Sequence, residues 1–205
     1  MNTTRHRHDA YRKRLLGVKR VVDIVGSATG LTVLAPLLFI VAAVIFVDSG
    51  RPVFFLQERI GLHGQPFRIV KFRTMTVGAE VLTSGIQIGD DHPLVTRIGR
   101  VLRRTKMDEL PQLLNVVRGE MSLVGPRPVP GSVAATFSHD ELRRFTARPG
   151  MTGWAQTHGN VALTWQERCR YDLFYVDNWS LRLDFLIMIQ TIAVVLLGEE
   201  RFRGS

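Results

Sequence analysis

The sequence predicts a mostly helical α/β protein held at a membrane on one side. The expected form is a monotopic membrane protein with an N-terminal re-entrant, Pro-kinked helix hairpin, a small β-hairpin and amphipathic interfacial helices. Three observations predict it. Ile24 to Val47 carries no charged side chain. Two strand-like runs flank the turn Gly61-Leu62-His63-Gly64. Beyond them, apolar residues recur at helical spacing.

The chain has 205 residues, enough for one domain with appendages. A hydrophobic fraction of 45% fits a packed core. The net charge of +9 calls for an anionic partner: nucleic acid, an anionic lipid surface or phosphorylated substrates. Nucleic acid is disfavoured, because no recognition motif is present and such a protein does not need the charge-free run. The single cysteine, Cys169, excludes an internal disulfide and reads as an inert packing residue.

The organisation expected is a basic segment (1–20), a re-entrant membrane helix (21–48) and a membrane-associated catalytic domain (49–205). The basic segment either frays or lies on anionic headgroups. The charge-free run of 24 residues reaches about 36 Å as a helix, against a bilayer core of about 30 Å. It is too long for a cleaved signal peptide, and no small-x-small site follows it. Pro36 falls near its middle and predicts a break there. Both flanks are basic, so the positive-inside rule gives a spanning helix no orientation. A hairpin that returns to the face it left suits both flanks.

Val53–Leu56 and Phe67–Phe72 read as strands. Period two places Lys71 and Arg73 on one side of the second, where two cations could hold a diphosphate or simply face solvent. His63 reads as a solvated turn residue. In the loop from Thr76 to Pro93, Asp90 and Asp91 read as turn acids before metal ligands. Leu94 to Lys106 reads as an amphipathic helix, with Arg97, Arg100 and Arg104 opposite an apolar face. Its arginines could point at membrane phosphates or at water.

The acid pair Asp108-Glu109 follows at once. Pro111 is tolerated only in a first turn, so a helix is expected from about residue 108 to Gly119. Two adjacent carboxylates at a helix start can divide labour, one attacking or binding metal while the other handles a proton; Asp108 could also be a plain N-cap. Gly125-Pro126-Arg127-Pro128 presents one arginine in a stiff turn suited to bidentate phosphate binding. Arg148-Pro149-Gly150 is a second rigid basic turn. Thr164-Trp165-Gln166-Glu167 is a capping box opening a helix to about Val176. Its Tyr171 and Tyr175, with Trp165 and Trp179, suit an interface or a core equally. Phe185 to Gly198 is too short to span and reads as interfacial or buried. No Walker loop, Gly-x-Gly-x-x-Gly or Cys/His cluster is present.

In this order the motifs resemble the bacterial sugar transferases, the monotopic polyprenol-phosphate phosphoglycosyl transferases. The matching stretches are Lys19–Asp23, Gln57–Gly61, Lys71–Met75, Asp108–Leu113, Met121–Pro128, Arg148–Gln156 and Tyr171-Asp172 with Tyr175. The resemblance implies transfer of a sugar 1-phosphate from a UDP-sugar to undecaprenyl phosphate, with UMP leaving. It implies Asp108 as nucleophile and Mg²⁺ ligand, Glu109 as its catalytic partner and a second candidate ligand, and Arg127 as a phosphate ligand. Lys71, Arg73, Arg104 and Arg148 complete the expected phosphate-binding set. It implies a bacterial cytoplasmic-membrane location, with the catalytic domain on the cytoplasmic face, and leaves a homodimer open. The family breaks its membrane helix at a Ser-Pro pair; here Ala35 precedes Pro36, so the break rests on Pro36 with Thr32 nearby. The rival reading is a membrane-anchored basic scaffold without catalysis.

Overall fold

The structure is a computed structural model and describes residues 2–79, 89, 91–159 and 163–197, without the side chains of 2–13 and 196. It is mostly helical. Helix α1 runs from Asn2 to Ser49. Strands β1 (Phe54–Ile60) and β2 (Pro66–Phe72) form an antiparallel hairpin around a 3₁₀ turn at Leu62–Gly64. Helix α2 (Arg97–Arg104) leads to a 3₁₀ turn (Met107–Gln112) that runs on into α3 (Leu113–Arg118). Strand β3 (Ser122–Val124), the short α4 (Gly131–Ala134), strand β4 (Gly150–Thr152) and the short α5 (Trp154–Thr157) follow. Helices α6 (Trp165–Asn178) and α7 (Leu181–Leu197) close the described chain.

The hairpin falls where expected, with its first strand carried on to Ile60. The capping box is present: the Thr164 side chain accepts from Glu167 N, and Glu167 reaches back to Thr164 N. β3 and β4 pair in parallel, which short runs of mixed character did not announce.

α1 is long and apolar enough to cross a membrane, and only 11% of its most apolar stretch is buried. That exposure separates it from the core helix of a soluble protein. The expected break is absent from the backbone pattern: helix runs unbroken through Pro36. A proline removes one donor, and the neighbouring bonds can carry the helix on. Nor does Thr32 attend a break, since its hydroxyl donates to the Ala28 carbonyl at 2.9 Å.

α1 touches the rest of the fold on both sides of Pro36. Before it, Asp23 accepts from Leu123 N at 3.1 Å and Lys19 pairs with Asp184 of α7 at 2.7 Å. A Cβ at Gly30 would lie 3.3 Å from the Leu113 side chain, so helix and core approach closely there. After it, Val41 and Ile45 bury against Phe72 and Leu102. Phe67, Ile69, Val116 and Met121 form a second core, and Val124, Tyr175, Val176 and Ile187 a third.

α2 is shorter than its apolar period suggested. Thr96 caps it, its hydroxyl accepting from Gly99 N at 2.9 Å, and so Leu94 and Val95 lie outside. Tyr175 belongs to the core, its hydroxyl donating to Asp184 at 2.7 Å, whereas Trp165 is exposed. α7 buries Asp184, Ile187 and Val194 and exposes Phe185, Ile189, Ile192 and Val195, so it has one packed face and one open apolar face.

Candidate active site

The acid pair sits in the 3₁₀ turn ahead of α3, close to the position that Pro111 implied. Lys106 precedes it in the left-handed region (φ 58°) and supplies no side-chain cap. Asp108 is therefore not an N-cap. Its carboxylate accepts no hydrogen bond from the described residues.

Glu109 is held firmly. Its Oε1 accepts from Lys71 Nζ at 2.7 Å and from Arg127 Nη2 at 3.0 Å. Its Oε2 accepts nothing among the described residues. Each cation is itself positioned by backbone. Asn115, fully buried on α3, accepts from Val70 N at 3.0 Å and donates to Arg68 O at 2.7 Å. This fastens β2 to α3 and places Lys71 over the acid pair. Sequence reading missed Asn115, because a lone asparagine in a short helix carries no pattern.

Arg127 is pinned through the turn that carries it. Gly125 N donates to Thr152 O, and Gly150 N donates to Pro126 O, both at 2.9 Å. A Cβ at Gly125 would lie 2.2 Å from the Arg148 carbonyl, so only glycine permits this strand approach. The buried Arg144 donates to the Arg127 carbonyl at 2.8 Å and pairs with the buried Asp172.

The two acids are driven apart electrostatically. Burial pushes Asp108 up to about 6, with the charge of Glu109 adding to it and Lys71, Arg103 and Lys106 opposing. Burial would raise Glu109 too, but Lys71 and Arg127 outweigh it and hold Glu109 well below the usual carboxylate range. Divergent pKa values in one pair assign separate roles: a fixed anion and a titrating one.

Three expected site residues lie elsewhere. Arg73 is buried under the end of α1, its Nη2 donating to Ser49 O, Ser49 Oγ and Gly50 O at 2.7–2.9 Å. It satisfies carbonyls that a helix C-terminus leaves open. Arg104 is exposed and faces Asp91 at 3.4 Å. That contact leaves Asp91 a solvated acid, while Asp90 lies outside the described residues. The useful arginine of α2 is its neighbour Arg103, whose Nε donates to Thr74 Oγ1 at 3.0 Å and whose charge favours ionised Asp108. Arg148 donates to Gly119 O at 3.1 Å, at the far end of α3. Cys169 is buried, and burial pushes its thiol up to about 11, as an inert residue requires.

A Mg²⁺ ion fits the donors present. The unpartnered Asp108 and the free Oε2 of Glu109 offer carboxylate oxygens, and Mg²⁺ commonly takes one or two carboxylates plus substrate phosphates. No group of three metal-ligating side chains occurs among the described residues, so phosphate and water would complete the shell.

Comparison with known proteins gives the family. The chain is 40% identical over 198 residues to EpsL of Bacillus subtilis, named an uncharacterized sugar transferase, covering 92% of this chain and 96% of that one. It is 41% identical over 201 residues to the UDP-glucose:undecaprenyl-phosphate glucose-1-phosphate transferase of Caulobacter vibrioides, covering 90% and 72%. It is 42% identical over 195 residues to the undecaprenyl-phosphate glucose phosphotransferase of Komagataeibacter xylinus, where 90% of this chain spans only 37% of the relative. The model of the bacterial sugar transferases matches residues 13–198, and the chain belongs to that family.

Proposed function

We propose that this chain transfers a sugar 1-phosphate from a UDP-sugar to undecaprenyl phosphate, releasing UMP, with Asp108 as the nucleophile. Such a reaction is the first membrane step of bacterial glycoconjugate assembly. The substrates are suggested by the names of the Caulobacter and Komagataeibacter relatives. The observation that carries the reading is the asymmetry of the pair: Glu109 is fastened by two cations, while the adjacent Asp108 is unpartnered and titrates near 6.

In the first step an Asp108 carboxylate oxygen attacks the sugar-linked phosphorus. The bond from that phosphorus to the bridging oxygen breaks, and UMP departs with the electron pair. In the second step an oxygen of the lipid phosphate attacks the same phosphorus, and Asp108 leaves as the free carboxylate. Covalent catalysis separates two mutually repelling anions in time. Lys71 and Arg127 orient and neutralise phosphate oxygens, with Glu109 holding both in place. Bound Mg²⁺ would supply further neutralisation at the diphosphate, held by Asp108 with Glu109.

The reading includes a monotopic, re-entrant attachment to the cytoplasmic membrane, with the body on the cytoplasmic face and α1 turning back by a bend at Pro36 within continuous helix rather than by a hairpin break. What supports it is that both halves of α1 pack on one body. Asp23 contacts β3, and Ile45, 22 residues further on, packs with Phe72 and Leu102. A helix crossing the bilayer would put those contacts on opposite sides.

UMP release from a UDP-sugar with Mg²⁺ and undecaprenyl phosphate tests the function. Asp108→Asn should abolish it; undiminished release in that variant would exclude Asp108 as nucleophile.

A further inference from the structure

A cavity of about 590 Å³ lies between the first half of α1 and the body. Lys19, Arg20, His63, Arg143 and Arg148 line it, with Asp23 and Asp177. None of Lys71, Asp108, Glu109 or Arg127 does. Arg20 and Arg148 reach the C-terminal end of α3, whereas the acid pair precedes its N-terminus. The run from Asp108 to Arg118 puts roughly 17 Å between the two places.

The charges in the cavity divide into two kinds. Lys19 is matched by Asp184 and Asp23, and Arg143 by Asp177. Arg20 and Arg148 have no carboxylate partner among the described residues. Arg20 donates to Val116 O at 2.7 Å and Val117 O at 2.9 Å, and Arg148 Nε donates to Gly119 O at 3.1 Å. They converge at Gly119, where a Cβ would lie 3.3 Å from Arg20 Nη2. Two guanidinium groups are thus fixed side by side by neutral carbonyls at a cavity wall. Such a pair, pre-positioned and with only the more distant charge of Asp23 acting on Arg20, suits a phosphate group.

The depth of the cavity says where that phosphate comes from. Its α1 residues, Leu16 to Asp23, directly precede the charge-free run that starts at Ile24. Val18, Val21 and Val22 on the same turns are exposed. With the run in hydrocarbon, these turns stand at the headgroup layer. We infer that the Arg20–Arg148 cavity docks the phosphate of an anionic lipid headgroup, a site separate from the acid pair. The inference rests on the membrane attachment proposed above.

The test is co-sedimentation of the full chain with phosphatidylcholine vesicles, with and without phosphatidylglycerol. Arg20→Gln/Arg148→Gln is compared with Arg118→Gln/Arg182→Gln, which removes the same charge from exposed positions outside the cavity. Each cavity arginine should contribute roughly fivefold to the phosphatidylglycerol-dependent gain in affinity. The cavity variant should lose that gain and keep its binding to phosphatidylcholine, and the control should lose much less. Arg148→Gln alone serves if the double variant melts early, because Arg20 still holds the end of α3. Equal losses in cavity and control variants would overturn the site. Competition by inorganic phosphate at concentrations matching the lipid would overturn the lipid source. Failure of the wild type to bind phosphatidylcholine vesicles would overturn the membrane attachment, and the inference with it.

Discussion

Lys71 and Glu109 meet at 2.7 Å, Nζ to Oε1, across the junction of the β-hairpin and the turn ahead of α3. The same oxygen receives Arg127, so one carboxylate organises two cations from different parts of the fold. This leaves Asp108 beside a fixed negative charge and free of partners. In the proposed mechanism Glu109 therefore fixes the site's charge and Asp108 is the group that reacts.

The pH profile should report that arrangement. With Asp108 reacting as the anion, kcat/KM should rise with pH through about 6. Glu109→Gln removes a charge that raises the Asp108 pKa, so the acid limb should move to lower pH. Lys71→Met removes a charge that lowers it, so the limb should move to higher pH. Measured limbs that stay put in both variants would mean that burial alone sets the titration.

Stability should carry the opposite sign at Asp108. Its folded pKa of about 6 exceeds the ordinary 3.8, so folding favours the protonated form. Stability is fully present below about pH 4 and falls as pH rises to about 6. Asp108→Asn removes this penalty. Thermal melts should show the variant more stable than wild type by about 1–2 kcal/mol above pH 6, after allowance for solvent screening, and level with it near pH 4. A variant less stable at high pH would contradict the assignment.

The arginines should separate by function. Arg127→Gln should lower kcat/KM at least about tenfold while leaving the fold intact. Arg73→Met should cost about 1–3 kcal/mol of stability, because it strips partners from Ser49 O and Gly50 O, and should leave the KM for the UDP-sugar unchanged. Arg104→Ala should alter stability by less than about 0.5 kcal/mol, as an exposed pair does. Melts and kinetics on the three variants decide this.

Those three arginines also show what was legible in the sequence. Arg127 could be read because two prolines fix its turn, a local constraint. Arg73 could not, because strand alternation gives only a side, and the end of α1 that claims Arg73 arrives from 24 residues away. Arg103 and Arg104 are neighbours whose roles depend on how α2 rotates, and that is set by Leu102 in the core. The hairpin and the acid-pair turn were readable from glycine and proline. The parallel β3–β4 pairing was not, because it joins two three-residue strands far apart in sequence.

Topology has a clean probe. Cys169 is buried with its thiol pushed up to about 11, so native protein should not react with a maleimide near pH 7. Against that silent background, cysteines introduced at Arg12 and Arg51 should both label from the cytoplasmic side. Labelling from opposite sides would refute re-entry.

The proposed intermediate is a sugar phosphate carried on Asp108. Intact-mass analysis after incubation with Mg²⁺ and a UDP-sugar the enzyme accepts, without lipid acceptor, measures it most directly. The expected result is an added mass of one sugar phosphate in the wild type, discharged by undecaprenyl phosphate and absent from Asp108→Asn. UMP release in the presence of acceptor, with no adduct in its absence even after rapid acid quench, would contradict it.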